Sequence, residues 1–170
     1  MDRMSRQARS LHMSRIGPKD TRPEMIVRSG LHRAGFRFRL HRRELPGRPD
    51  IVLPRHNAVI FVHGCFWHSH PGCRLAAVPG TRREFWIPKL AANRERDRRQ
   101  VAELRRQGWR VLIIWECSVR PASLRIATIA AATMWIRDDS SFEEITGPME
   151  RHPDRLGTAG AACDDRQRKP

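Results

Sequence analysis

Apolar residues in this chain arrive in short runs, separated by turn chemistry and by long charged stretches. Thr21-Arg-Pro-Glu24 reads as a helix start, with Thr21 as N-cap, Pro23 in the first turn and Glu24 at the capping-box position. Val27, Leu31 and Ala34 then recur on one face, and Gly35 stops the helix. Phe36-Arg-Phe-Arg-Leu40 alternates apolar and basic, the period of a half-exposed strand. Two short apolar strands follow, Asp50–Leu53 and Ala58–Val62, joined by Pro54-Arg-His-Asn57. So short a loop predicts an antiparallel hairpin with Leu53 opposite Ala58 and Asp50 opposite about Phe61. From about Pro88 to Gln107 strong helix formers carry a thin stripe of Leu90, Val101 and Leu104 among arginines, and Gly108 ends it. Trp109–Trp115 is the clearest buried strand, and residues 122–136 form an alanine- and isoleucine-rich helix.

The order α-β-β-β-α-β-α predicts an α/β fold, a small mixed sheet flanked by helices. A strand–helix–strand crossover makes strands 58–62 and 109–115 parallel, so their C-terminal ends share one edge. Cys65 and Cys117 follow those ends, and residues far apart in sequence are predicted to meet there.

Composition adds a partner. The 170 residues carry a net charge of +15, and residues 1–116 hold 25 Lys/Arg against 10 Asp/Glu. Residues 117–170 hold 8 of each, so the excess lies on the part that folds. That favours a polyanion, nucleic acid before membrane, because no long apolar or basic amphipathic helix stands out. The charged N-terminus lacks a signal-peptide core, so a cytoplasmic location is expected. The scarcity of lysine beside arginine points to a GC-rich bacterial genome, and the basic excess to a place on the nucleoid. Residues 1–18 read as a basic arm, 19–146 as the folded domain, and 147–170, with Cys163, as a disordered tail rich in Gly, Pro, Arg and Asp.

The chemistry gathers where Ala58-Val-Ile-Phe-Val62 runs into three histidines, two cysteines and the aromatics Phe66 and Trp67. Cys65, His70, Cys73 and Cys117 make a Cys3His set suited to a tetrahedral structural zinc. The bland alternative is buried reduced cysteine beside a polar histidine. His63 and His68 remain. Asp50 offers a hard carboxylate for magnesium, and the Val62 carbonyl offers a second oxygen. His68 suits a general base, with Asp97 fixing its tautomer, and His63 suits a donor to a phosphate oxygen. For Asp97 the competing reading is an ordinary ion pair on a charged helix face, and for Glu24 it is capping alone.

These residues resemble the very-short-patch mismatch repair endonucleases, the Vsr family. The resemblance covers about residues 8–120. It rests on Leu45-Pro-Gly-Arg-Pro-Asp50, His63-Gly-Cys-Phe-Trp-His68, Thr81-Arg-Arg-Glu-Phe-Trp86, Asn93-Arg-Glu-Arg-Asp-Arg-Arg99 and Gly108-Trp-Arg-Val-Leu-Ile-Ile-Trp-Glu-Cys117, in matching order. It implies a restriction-endonuclease-like fold with a structural zinc on Cys65, His70, Cys73 and Cys117. It implies a magnesium-dependent enzyme that nicks one strand of duplex DNA 5′ to the thymine of a T·G mismatch, the product of 5-methylcytosine deamination. Asp50 and the Val62 backbone would hold magnesium, His68 paired with Asp97 would be the base, His63 would work on the phosphate side, and Glu24 would support the site.

The same resemblance implies that Phe66, Trp67 and Trp86 intercalate, and that Lys89, Asn93 and Met13 face the mismatched pair. Apolar wedges unstack DNA, and a mismatch unstacks more cheaply than a proper pair. Arg82, Arg83, Arg94, Arg96, Arg98 and Arg99 are candidates for phosphate contacts. The implied partners are T·G-mismatched duplex DNA and other mismatch-repair proteins, with the enzyme acting as a monomer. Two departures are visible: one family member has threonine where Val62 stands, and one residue rather than two between the ligands matching His70 and Cys73. The competing functions are a non-catalytic zinc DNA-binding module, and a restriction-type nuclease that cuts paired duplex.

Overall fold

The computed structural model describes residues 19–148. The arm (1–18), Met13 included, and nearly all of the tail (147–170) lie outside them.

Helix α1 (Arg22–Arg33) begins as its sequence predicts. Thr21 is the N-cap, and the Glu24 N–H reaches its hydroxyl at 3.5 Å. Thr21 also donates to Glu24 Oε1 at 2.9 Å, so the two side chains tie the first turn together. The helix ends one residue before Ala34, which is exposed rather than on the apolar face. Gly35 follows at φ +92°, the left-handed turn that only glycine takes freely. The predicted strand over 36–40 shrinks to β1 (Arg39–Leu40). Phe36 is instead buried as the chain leaves the helix, with the charged residues beside it in solvent.

Strands β2 (Ile51–Leu53) and β3 (Ala58–His63) form the predicted hairpin, with Leu53 opposite Ala58 and Ile51 opposite Ile60. The turn between them closes on Asn57 in the left-handed region. Helix α2 (Arg83–Arg106) starts five residues before the expected Pro88 and runs through that proline. Pro88 lies within the second turn, where the missing N–H costs one bond and the preceding residues Arg83–Ile87 are held by aromatic packing. Strand β4 (Arg110–Trp115) leads into the short helix α3 (Glu116–Val119), then α4 (Arg125–Arg137) and β5 (Phe142–Ile145).

The five strands lie in the order β1-β2-β3-β4-β5. The β3–β4 pair is parallel, from Ala58 opposite Arg110 to His63 opposite Trp115, and β5 adds a further parallel strand. This last strand was not predicted: Phe-Glu-Glu-Ile has no alternation and half its residues are acidic. It is held at one end by Glu144, which accepts from the Trp115 indole at 2.7 Å.

Both faces of the sheet are covered. Ile51, Ile60, Val62, Leu112 and Ile114 pack under α1 and α4. Val52, Val59, Phe61, Val111 and Ile113 pack against Leu104 of α2 and the loop after β3. Burial on two sides explains why β3 and β4 read as unbroken apolar runs. Among the described residues no helix is long and apolar enough to cross a membrane.

Candidate active site and metal centre

The parallel pairing brings the ends of β3 and β4 to one edge, and the cysteines converge there as expected. The ligand atoms of Cys65, His70, Cys73 and Cys117 all lie within 4.8 Å of one another. His70 Nδ1 is 3.6 Å from the Cys65 sulfur and 3.5 Å from that of Cys117. Tetrahedral zinc with bonds of about 2.0–2.3 Å sets its ligands roughly 3.5–3.8 Å apart, so the cluster is consistent with a zinc site. The two-residue spacing between His70 and Cys73 is accommodated.

The surroundings fix these ligands. The His70 ring stacks on Trp115 at 4.0 Å, and the Gly147 N–H donates to the Cys117 sulfur at 3.3 Å. The Cys65 N–H donates to Glu116 at 3.3 Å. Cys117 is the thiol held below its ordinary range, because the Cys65 thiol donates to it and the Gly147 N–H adds to that. Neither Gly147 nor Glu116 carries a signal for this in the sequence.

On the other side of the zinc loop, a cleft of about 1340 Å³ is lined by Glu24, Asp50, Val62, His63, His68 and Asp97 among others. Every side chain singled out as catalytic reaches this one space. Pairing of β2 with β3 stops at Ile51–Ile60, and Asp50 continues the interaction through its side chain: Oδ2 accepts from the Val62 N–H at 2.7 Å. The N–H and C=O of a strand residue point to the same edge, so the Val62 carbonyl faces the Asp50 side. Burial pushes the Asp50 carboxyl up to about 7, against the pull of the Val62 N–H, and the Glu24 carboxylate pushes it further up. A half-buried carboxyl near the Glu24 carboxylate, with a carbonyl on the same edge, is a hard-oxygen set that fits a divalent cation.

His68 Nδ1 and Asp97 Oδ2 are 2.6 Å apart. A carboxylate can only accept, so Nδ1 carries a proton, and in the neutral ring Nε2 is the nitrogen with the lone pair. Burial raises Asp97, but the hydrogen bond from His68 and the nearby Arg96 guanidinium hold it below the usual carboxylate range. His63 is buried and lies flat against His68, with ring centroids 3.8 Å apart and 4° between planes. Burial takes the His63 imidazole down to about 3, and the neighbouring His68 adds to this. His63 is therefore a neutral ring with a single N–H.

The aromatics form a surface cluster rather than a core. Phe66, Trp67 and Trp86 are half-buried and meet edge to face at 5.1–6.0 Å. Lys89 lies over the Trp67, Phe85 and Trp86 rings at 5.2–5.9 Å. Asn93 donates to the Trp67 carbonyl at 3.2 Å, which ties α2 to the zinc loop. Phe85 is an exposed member of this cluster that the sequence reading passed over, although it sits inside one of the quoted motifs. Arg28 and His41, at the back of the cleft, were also passed over.

A profile described as "DNA mismatch endonuclease Vsr" matches residues 1–74. A "Type II nicking enzyme V.XorIIP" from Xanthomonas oryzae pv. oryzae is 52% identical over 118 residues, which are 69% of this chain and 86% of that protein. The chain belongs to the Vsr DNA mismatch endonuclease family. "DNA mismatch endonuclease Vsr" of Escherichia coli is 50% identical over 112 residues, 66% of this chain and 71% of that protein. "Type II nicking enzyme V.NmeAIP" of Neisseria meningitidis is 40% identical over 112 residues, covering 79% of it. The protein is thus a Vsr-family DNA nicking endonuclease, with the expected mixed sheet and a Cys3His cluster consistent with a zinc site.

Proposed function

We propose that this enzyme nicks one strand of duplex DNA 5′ to the thymine of a T·G mismatch, in a magnesium-dependent reaction carried by the cleft, with residues 19–146 as the nuclease domain. The observation that supports this most is the shared cleft: Asp50 and the His68–Asp97 pair open into the same space. A DNA-binding module would have no use for a half-buried, oriented histidine–carboxylate pair opening into the same cleft as a second, half-buried carboxyl.

In this reading His68 Nε2 takes the proton of the attacking water as its oxygen approaches phosphorus. Asp97 holds the tautomer and stabilises the imidazolium as it forms. His63, neutral and pressed against the His68 ring, donates its N–H to a phosphate oxygen, so the stacked pair never carries two charges. Asp50 and the Val62 carbonyl would hold magnesium, and the valine side chain is no obstacle because the ligand is backbone. When bound, the ion neutralises charge building on the phosphate and leaving oxygens. Glu24 supports the site from α1.

Phe66, Trp67 and Trp86 are the proposed wedge, with Lys89 and Asn93 beside it and Met13 reaching from the arm. Selectivity follows because a T·G pair gives way to a wedge at lower cost than a paired step. The test is a nicking assay on labelled duplexes with T·G in varied flanking sequence, T·A and C·G controls, and magnesium or EDTA. A magnesium-dependent nick only at the mismatched thymine is expected. Cutting of paired controls would replace this reading with a restriction-type activity, and binding without any cut with the DNA-binding module.

A further inference from the structure

Behind Asp50 lies a chain of polar groups of which the reaction described above uses only Glu24. Arg28 is buried on α1, with one guanidinium nitrogen on Asp20. Its other terminal nitrogen, Nη2, lies 2.7 Å from Glu24 Oε2 and 2.7 Å from His41 Nε2. A guanidinium has donors only, so His41 Nε2 must accept and its proton must sit on Nδ1. That Nδ1 faces Asp50 Oδ1 at 3.8 Å. The other Asp50 oxygen is already taken by the Val62 N–H at 2.7 Å. His41 is kept in place by its backbone, at φ +47° between β1 and the Leu45-Pro46-Gly47 turn, and its side chain is 18% exposed.

Asp20, Glu24 and His41 are also close enough together to suggest a metal group. Arg28 argues against that. Its guanidinium contacts all three residues and supplies the positive charge the two carboxylates call for. The cluster is better read as a relay of orientation from α1 to Asp50.

We propose that His41 is a positioning residue. In the Nδ1–H tautomer imposed by Arg28, it directs Asp50 Oδ1 and so sets how tightly the site takes its divalent cation. The 3.8 Å separation is beyond a formed hydrogen bond, and such contacts commonly tighten when a site is loaded. Outer partners of ligating groups typically govern metal affinity by about 10–100-fold. The inference rests on the reading of Asp50 as the cation-holding carboxylate.

The experiment measures Mn2+ binding to the zinc-loaded full chain by loss of the free-ion EPR signal. It compares wild type, Asp50→Asn, His41→Leu, His41→Met and His41→Gln. Glutamine can accept from Arg28 and donate to Asp50 at once, whereas leucine and methionine donate nothing. Expected is a Mn2+ dissociation constant raised about tenfold or more in the leucine and methionine variants, and within about threefold of wild type in the glutamine variant. The magnesium concentration for half-maximal nicking should shift in parallel, with DNA affinity in EDTA unchanged. If Asp50→Asn loses Mn2+ binding while a folded leucine or methionine variant binds like wild type, His41 has no such role. If Asp50→Asn itself binds like wild type, the reading of Asp50 fails, and this inference goes with it.

Discussion

Asp50 shows how a single residue can work against the fold that holds it. Its carboxyl is raised to about 7 in the native protein, well above the 3.8 of an exposed aspartate. Between those values the native state binds a proton that the unfolded chain has released, so this group's contribution to stability falls as pH rises from about 4 through 7. Asp50→Asn removes that burden while keeping an oxygen for the Val62 N–H. The variant should be inactive in nicking yet more stable than wild type at pH 8, by on the order of 2–4 kcal/mol, with the gain vanishing below pH 4. Thermal melts at both pH values, without divalent cation, would check this. Equal stability at pH 8 would mean that the carboxyl is not strained by its burial. The place of Asp50 in the cleft was legible from the turn that precedes it and from the hairpin register. That of His41 was not. A histidine at the head of a basic loop has no periodic or motif signal, and its tautomer depends on an arginine thirteen residues away on another element.

At the scale of elements, the Cys3His cluster joins the loop after β3 to α3, and through the Gly147 N–H to the segment after β5. Gly147 passes so close to Cys117 that an added Cβ would lie 2.4 Å from the Cys117 carbonyl oxygen. Gly147→Ala must therefore push the segment away and remove the N–H from the Cys117 sulfur. Zinc should be released more readily, with affinity down by about tenfold, as measured with a chromogenic zinc indicator under chelator challenge. Cys73→Ser should go further and lower the melting temperature by on the order of 10 °C, because the loop has little apolar core of its own. Unchanged zinc retention in both would sink the assignment. The convergence of Cys65 and Cys117 followed from a single rule, that a strand–helix–strand crossover is parallel. The start of α2 did not follow from local rules. Pro88 looked like a beginning, but tertiary packing of Trp86 on Phe66 and Trp67 holds the turn before it. Strand β5 was hidden for a related reason: a short edge strand needs few apolar residues, and one on each face sufficed, Ile145 on the α1/α4 side and Phe142 on the α2 side.

Over the whole molecule, the charge excess is distributed unequally between free and paired arginines. Arg98 and Arg106 are each engaged by a carboxylate one helical turn away, at 3.0 and 2.7 Å. Arg83 and Arg94 pair with no carboxylate among the described residues. Alanine at Arg83 or Arg94 should reduce the slope of log binding constant against log salt by about 1 each, if they contact phosphate. Arg106→Ala should leave the slope nearly unchanged. Fluorescence anisotropy across a salt series distinguishes these outcomes, and equal slopes for all three variants would mean that the charge acts diffusely.

One consequence of the zinc loop concerns where the cut falls. Phe66 and Trp67 sit between two zinc ligands, and His68 follows them directly. Asn93 and Asp97, one turn apart on α2, grip the same loop at Trp67 and His68. The proposed wedge and the proposed base are thus held at a set spacing on one loop, like the two jaws of a caliper. An enzyme built this way need not search for its scissile bond once the wedge is seated. The offset between distortion and incision is set in the protein, and a change in loop length would move the nick rather than merely slow it.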